Sequence, residues 1–236
     1  NWLANGGTTS SNTDGSITTT VQANTDAGFS ILTYTEASGT NSHGHGLSQK
    51  PELIILKRRD SAENWIVWHD IFALPTKHAL YLNATNAKGT SGSNWLTEVT
   101  DSTFSYLSGQ YSSAGTKVAY CFHSVEGYSK IGSYTGNGNA DGTFVFTGFR
   151  PAWIMRKRTN AVGDWVIMDT SRDPANLSDD RLLANSSNAE ANNGNNIDIL
   201  SNGWKERNAD GYSNASGSTF IYMAFAESPF KYSLAR

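Results

Sequence analysis

The sequence predicts an all-β chain of two tandem, homologous β-sandwich repeats behind a polar N-terminal arm. Three observations carry that expectation. The stretches from Pro51 to Asp70 (PELIILKRRDSAENWIVWHD) and from Pro151 to Thr170 (PAWIMRKRTNAVGDWVIMDT) align without a gap at an offset of 100 positions. Each reads as an apolar run rich in β-branched and aromatic residues, a polar turn, and a second apolar run, which is a hairpin signature. No segment sustains a 3.6-residue apolar period over roughly 11 residues or more, as an amphipathic helix would. Self-similarity at a fixed spacing settles the architecture before any site is considered.

Taken in order, residues 1–27 form the arm. Asn5 to Ser16 is a Gly/Ser/Thr/Asn stretch that reads as a loop, and Ile17 to Ala23 (ITTTVQA) as a strand. The first repeat spans 28–126 and the second 127–236. GFSILTYT opens one and GYSKIGSYT the other, so that Tyr34 and Thr35 recur as Tyr134 and Thr135. After each hairpin, LNATNA corresponds to ANSSNA, and each repeat closes on an apolar strand, TKVAYCF or TFIYMAF. The stretch from Asp173 to Leu183 is expected to hold at most one helical turn.

Alternate residues of a strand share a face. Trp65, Val67 and His69 therefore face one way and Ile66, Trp68 and Asp70 the other, with bulk on both sides, as for a strand covered twice. Trp65 and Trp165 are expected as core anchors. Lys57 and Lys157 are expected to run their stems along the sheet with the ammonium at its rim. Strands of this kind close face to face as a sandwich of the jelly-roll or lectin-like sort.

Composition narrows the function classes. The chain has 236 residues, 17% of them charged, and a formal net charge of −3, so it lacks the basic footprint of a nucleic-acid binder. A single cysteine, Cys121, leaves no internal disulfide framework and no cysteine-rich metal site. No apolar run approaches the roughly 18 residues of a membrane helix. The first residues, NWLANGGTTSS, do not follow the basic-then-apolar pattern of a signal peptide. No cofactor motif is present; Gly136 to Asp141 is a turn signature rather than a phosphate loop.

The openers GFSILTYT and GYSKIGSYTGNG, the segments HGLSQKPELIILKRR and DGTFVFTGFRPAWIMRKR, and the ending FIYMAFAESPFKYSLAR resemble a β domain repeated in tail-fibre-like virion proteins of tailed bacteriophages, many of them marine or cyanobacterial. The resemblance covers nearly the whole chain. It implies a virion protein, placed in a tail or surface appendage and extracellular when acting, that attaches to bacterial surface glycan beside other virion proteins. Fibre proteins of this sort are commonly homotrimers, although no coiled-coil heptads appear here. It also suggests that Asn1 to Ala4 is the end of an upstream strand and FKYSLAR a natural C-terminus. No catalytic residues come with it.

Two kinds of site follow. Sugars stack on exposed aromatic faces and are oriented by polar side chains. Trp95 and Trp204, each beside an Asn or Gly at a loop tip, are candidate platforms, with Trp68, Tyr212 and Arg207 as supporting candidates; packing over the sandwich ends is the plainer reading of any one tryptophan. His43 and His45 form a His-x-His pair, which on a strand points two imidazoles the same way, as for two ligands of one metal. The second repeat lacks the pair and no third ligand is evident, so no metal is assigned. Glycoside cleavage needs two carboxyl groups at a set separation, and Glu63, Glu98, Asp164, Asp169, Asp179 and Asp180 form no such motif. The expected function is therefore non-enzymatic attachment, with a structural spacer and a capsular-glycan depolymerase as the alternatives.

Overall fold

A computed structural model describes residues 7–90, 92–109, 113–192 and 196–228. The readings placed on Asn1 to Ala4 and on FKYSLAR lie outside them. The chain divides into two units: Asn1–Tyr81 with Lys88–His123, and Leu82–Ala87 with Ser124–Arg236. Both are all-β, with no helix among the described residues, so the turn expected between Asp173 and Leu183 does not form there.

The first unit contains β1 (Ser10–Asn12), β2 (Thr19–Asn24), β3 (Phe29–Glu36), β4 (Thr40–Gly44), β5 (Leu53–Arg58), β6 (Ile66–His69), β7 (His78–Tyr81), β8 (Gly89–Thr90), β9 (Leu96–Val99), β10 (Thr103–Leu107) and β11 (Gly115–Phe122). They form a large antiparallel sheet in the order β1-β2-β3-β11-β5-β6-β7-β8 and a smaller one in the order β4-β10-β9. The described part of the N-terminal stretch contributes β1 and β2 to the large sheet, β2 over the segment where a strand was expected. The Thr/Val alternation of β2 sets it against β3, with Val21 opposite Leu32, and Ile17 bridges to His43.

The second unit contains β12 (Ser129–Thr135), β13 (Phe144–Phe146), β14 (Pro151–Arg158), β15 (Trp165–Asp169), β16 (Leu182–Leu183), β17 (Ile197–Leu200), β18 (Gly203–Glu206) and β19 (Thr219–Ala226). Its sheets run β12-β19-β14-β15-β16 and β13-β18-β17. This is the strand order of β3-β11-β5-β6-β7 and β4-β10-β9 in the first unit, with no counterparts of β1, β2 and β8 among the described residues.

In each unit the core lies between the two sheets. In the second, Tyr134, Ile154, Val166, Met168, Phe220 and Tyr222 from the large sheet meet Val145, Ile197, Ile199 and Trp204 from the small one. Gly132 makes room for this packing, because a Cβ there would lie 2.8 Å from the Tyr222 hydroxyl. In the first unit the Tyr34 and Tyr106 hydroxyls, from opposite sheets, meet at 3.3 Å.

Register corrects two expectations. Trp165 pairs with Lys157 and neighbours Val166, which is an inward residue, so Trp165 lies on the outer face of its sheet; it is buried there. Trp65 has the same parity and is half-buried, stacked on Tyr120 at 6.3 Å. Neither anchors the core between the sheets. Lys157 is fully buried rather than at a rim. Its Nζ donates to Thr85 O (3.2 Å) and Arg158 O (2.9 Å), because the segment Leu82–Ala87 reaches its position, where Gly163 N–H also donates to Thr85 O. Lys57 is half-buried, its Nζ 3.4 Å from Ser61 O.

Candidate functional site

The small sheet of the second unit carries an aromatic face. Among the described residues β13 has one ladder partner, β18, and so is an edge strand. Val145 opposes Trp204 in the register, and both point into the core; the indole fills the space there, and the small valine fits beside it. Strand parity then sends Phe144 and Phe146 to the outer face, where they are 44% and 62% exposed. Two residues apart on a strand, the rings are spaced by about 6.5–7 Å. Single exposed apolar residues are ordinary, but a same-face aromatic pair makes a patch.

Charged groups frame the patch. Lys205 stands opposite Phe144 in the register, and Asp198 opposite Lys205. Lys205 Nζ lies 2.5 Å from Asp141 Oδ1, and Arg207 Nε lies 3.0 Å from Asp198 Oδ2. The hydrogen bond from Lys205 holds the Asp141 carboxyl below its usual range, with the Lys205 and Arg207 charges adding to it. Opposite Phe146 stands Gly203, where a Cβ would fall 2.0 Å from Val145 O, so that no side chain can occupy that place.

The sequence-derived candidates fall elsewhere, apart from Arg207. Trp68, Trp95 and Trp204 are buried, with relative exposures of 1%, 1% and 0%, and cannot offer a face to a ligand. Each spends its indole N–H inside the fold: Trp68 on Phe72 O (3.2 Å), Trp95 on His78 O (2.9 Å) and Trp204 on Glu206 Oε1 (2.9 Å). Tyr212 is exposed, in a loop beside Gly163.

His43 and His45 do not face one metal. β4 ends at Gly44, so His45 lies beyond the strand that would align the two rings. His43 is buried with Nε2 2.9 Å from Glu36 Oε2, between Tyr34, Phe104 and Tyr106. His45 accepts Leu47 N–H at Nδ1 (3.2 Å), which leaves Nε2 to donate to Thr100 O (3.2 Å), and burial lowers its pKa. Among the described residues no group of three or more His, Cys, Asp or Glu side chains could hold a metal ion.

Sequence reasoning also missed two buried polar pairs, the contact of Glu36 with His43 and the ion pair of Arg156 with Glu206. Arg156 Nη1 lies 2.7 Å from Glu206 Oε1, which also receives Trp204 Nε1 and the Tyr134 hydroxyl. Burial raises the Glu206 pKa, and Arg156, Trp204 and Tyr134 only partly offset it. The two pairs occupy different strands, so the alignment of the repeats could not point to them.

Residues 1–229 match the family model described as Domain of unknown function (DUF7483), and the chain belongs to that family. No curated protein and no solved structure matches it.

Proposed function

We propose that this member of the DUF7483 family is a non-enzymatic module of a phage virion protein, a tail-fibre-like appendage domain that holds host-surface polysaccharide against Phe144 and Phe146. The single observation behind this reading is the exposed aromatic pair on one face of an edge strand, framed by Lys205, Arg207, Asp198 and Asp141. Sugar rings offer apolar C–H faces to such rings, and paired charges can exchange hydrogen bonds with hydroxyls at the rim. Binding fits this face better than cleavage. A glycosidase needs one carboxyl that keeps its proton near neutrality, whereas Asp141 is held below its usual range by Lys205. The virion setting comes from the resemblance of the quoted motifs.

The test is a glycan-array and host-cell binding assay on the chain and on Phe144→Ala/Phe146→Ala. Half-exposed rings tolerate truncation, so folding should persist. Each ring should contribute about 1–2 kcal/mol of apolar contact, and binding should fall by roughly tenfold per ring. Full binding by the double variant would refute the platform. No binding by the folded wild-type chain to any glycan or cell would favour the structural-spacer reading.

A further inference from the structure

The edge of the small sheet is closed in the first unit and open in the second. In the first, β4 has β10 on one side, and the stretch before β2 takes its other side. Ile17 N–H donates to Ser42 O (3.1 Å), Ser42 N–H donates to Ser16 Oγ (3.0 Å), and Thr19 Oγ1 donates to Gly44 O (2.8 Å). The backbones pass closely, since a Cβ on Gly15 would fall 2.3 Å from Ser42 O.

In the second unit β13 takes the place of β4. His43 stands opposite Phe104 and Val145 opposite Trp204. The two ladders also end alike, with His45 N–H on Ser102 O (3.1 Å) and Thr147 N–H on Asn202 O (3.0 Å). Phe144 therefore matches Ser42, and Phe146 matches Gly44. Glu206 N–H donates to Thr143 O (3.0 Å), so Thr143, Val145 and Thr147 turn their backbone groups to β18. Those of Phe144 and Phe146, by alternation, point out from the edge. Among the described residues their one partner is the Tyr222 hydroxyl, 3.5 Å from Phe146 O. The chain ahead of β12 brings no closing stretch: Val125 already pairs with Ser129, and Ser124 Oγ accepts Ile131 N–H (2.9 Å).

We infer that the open edge of β13 docks an extended segment of another polypeptide, a glycine followed by serine and β-branched residues, along the path that Gly15–Thr19 takes over β4. That path sets its chemistry. The glycine lets the backbone pass against the strand, the serine hydroxyl accepts Phe144 N–H, the next N–H meets Phe144 O, and a later hydroxyl reaches Phe146 O. Unpaired strand edges favour such additions. A second copy of this chain has its own segment of this kind bound to its β4. The segment uses the edge of β13 and not its aromatic face, so the inference does not rest on glycan binding.

A synthetic peptide with the sequence of residues 13–20, TDGSITTT, is titrated into the isotope-labelled full chain, following backbone amide resonances. The amides of Phe144 and Phe146 are expected to shift, while those of Ser42 and Gly44 stay in place. N-methylation of Ile17 in the peptide removes the donor to Phe144 O, and Gly15→Val in the peptide blocks the close passage. Each should weaken binding roughly tenfold or more. Phe144→Pro in the chain removes an edge-facing N–H and no ladder bond, and should weaken the peptide likewise. Phe144→Ala/Phe146→Ala keeps both N–H groups and should still bind the peptide while losing glycan, so the two readings fail separately. The inference is overturned if the peptide shifts neither phenylalanine amide or shifts only those of β4. It is equally overturned if the N-methyl peptide, the valine peptide or the Phe144→Pro chain binds undiminished, or if the double alanine chain no longer binds. Self-association of the chain through these amides, excluding the peptide, would make a second copy the occupant and overturn it too.

Discussion

The Arg156–Glu206 pair offers the sharpest test of how the second unit holds together. Both side chains are fully buried, and Arg156 Nη1 sits 2.7 Å from Glu206 Oε1. Breaking such a pair from one side leaves a charge without a partner in the core and costs about 3–5 kcal/mol. Arg156→Leu and Glu206→Leu should each lose about that much. The double variant leaves no stranded charge. Its remaining penalties include the Trp204 indole N–H, which loses its acceptor at a cost of about 1–3 kcal/mol, while the Tyr134 hydroxyl keeps Ser213 O at 2.7 Å. The double variant should therefore be more stable than either single one, and far from the sum of the two. Equilibrium urea unfolding, followed by tryptophan fluorescence and near-ultraviolet circular dichroism, measures all three. The first unit is a natural precedent, since the residues in the matching positions are Leu56 and Tyr106. If the double variant loses the sum of the two single losses, the pair is not coupled and the reasoning fails.

Two further outcomes concern pH. Burial lowers the Lys157 pKa to about 8 despite the nearby Asp164 charge, against an ordinary value of 10.5. Between those values the unfolded chain binds a proton that the fold does not, so stability should climb with pH, by up to about 1.4 kcal/mol per unit. Urea midpoints at pH 8.0 and 9.5 should show that climb reduced in Lys157→Met; parallel slopes would mean that the ammonium is not desolvated. Burial pushes Glu36 up, but hydrogen bonds from His43 and Tyr106 outweigh it and hold its pKa below 4.5. Its contribution is complete above pH 4.5 and lost as pH falls through the lower folded value. Glu36→Gln should flatten the stability loss between pH 5 and 3, and an unchanged slope would acquit Glu36.

The hairpins at β5–β6 and β14–β15 were legible because apolar runs bounded by Asp, Ser, Asn and Gly leave few alternatives. Faces were harder to read. In DGTFVFTG a period of two says that Phe144 and Phe146 share a side but not which side, and only Trp204 behind Val145 decides it. Asn94 and Gly203 suggested loop tips, yet each ends a turn, and the tryptophan that follows is already directed inward. Lys157 looked like a rim residue because what covers it, Thr85, lies 72 positions away. Long-range cover of that kind leaves no local trace in the sequence.

That cover also bears on how the protein can be taken apart or exchanged. The carbonyl of Thr85 serves Gly163 and Lys157, yet its residues are translated between β7 and β8 of the other unit. A single cut near residue 123 would yield a C-terminal half whose Lys157 and Gly163 have lost an acceptor, and an N-terminal half carrying six residues that belong elsewhere. Neither half is then a cassette. Recombination between relatives would transmit the two units jointly, and a shuffled gene that swaps only the part after residue 123 must also match the resident loop at 82–87 to its new lysine.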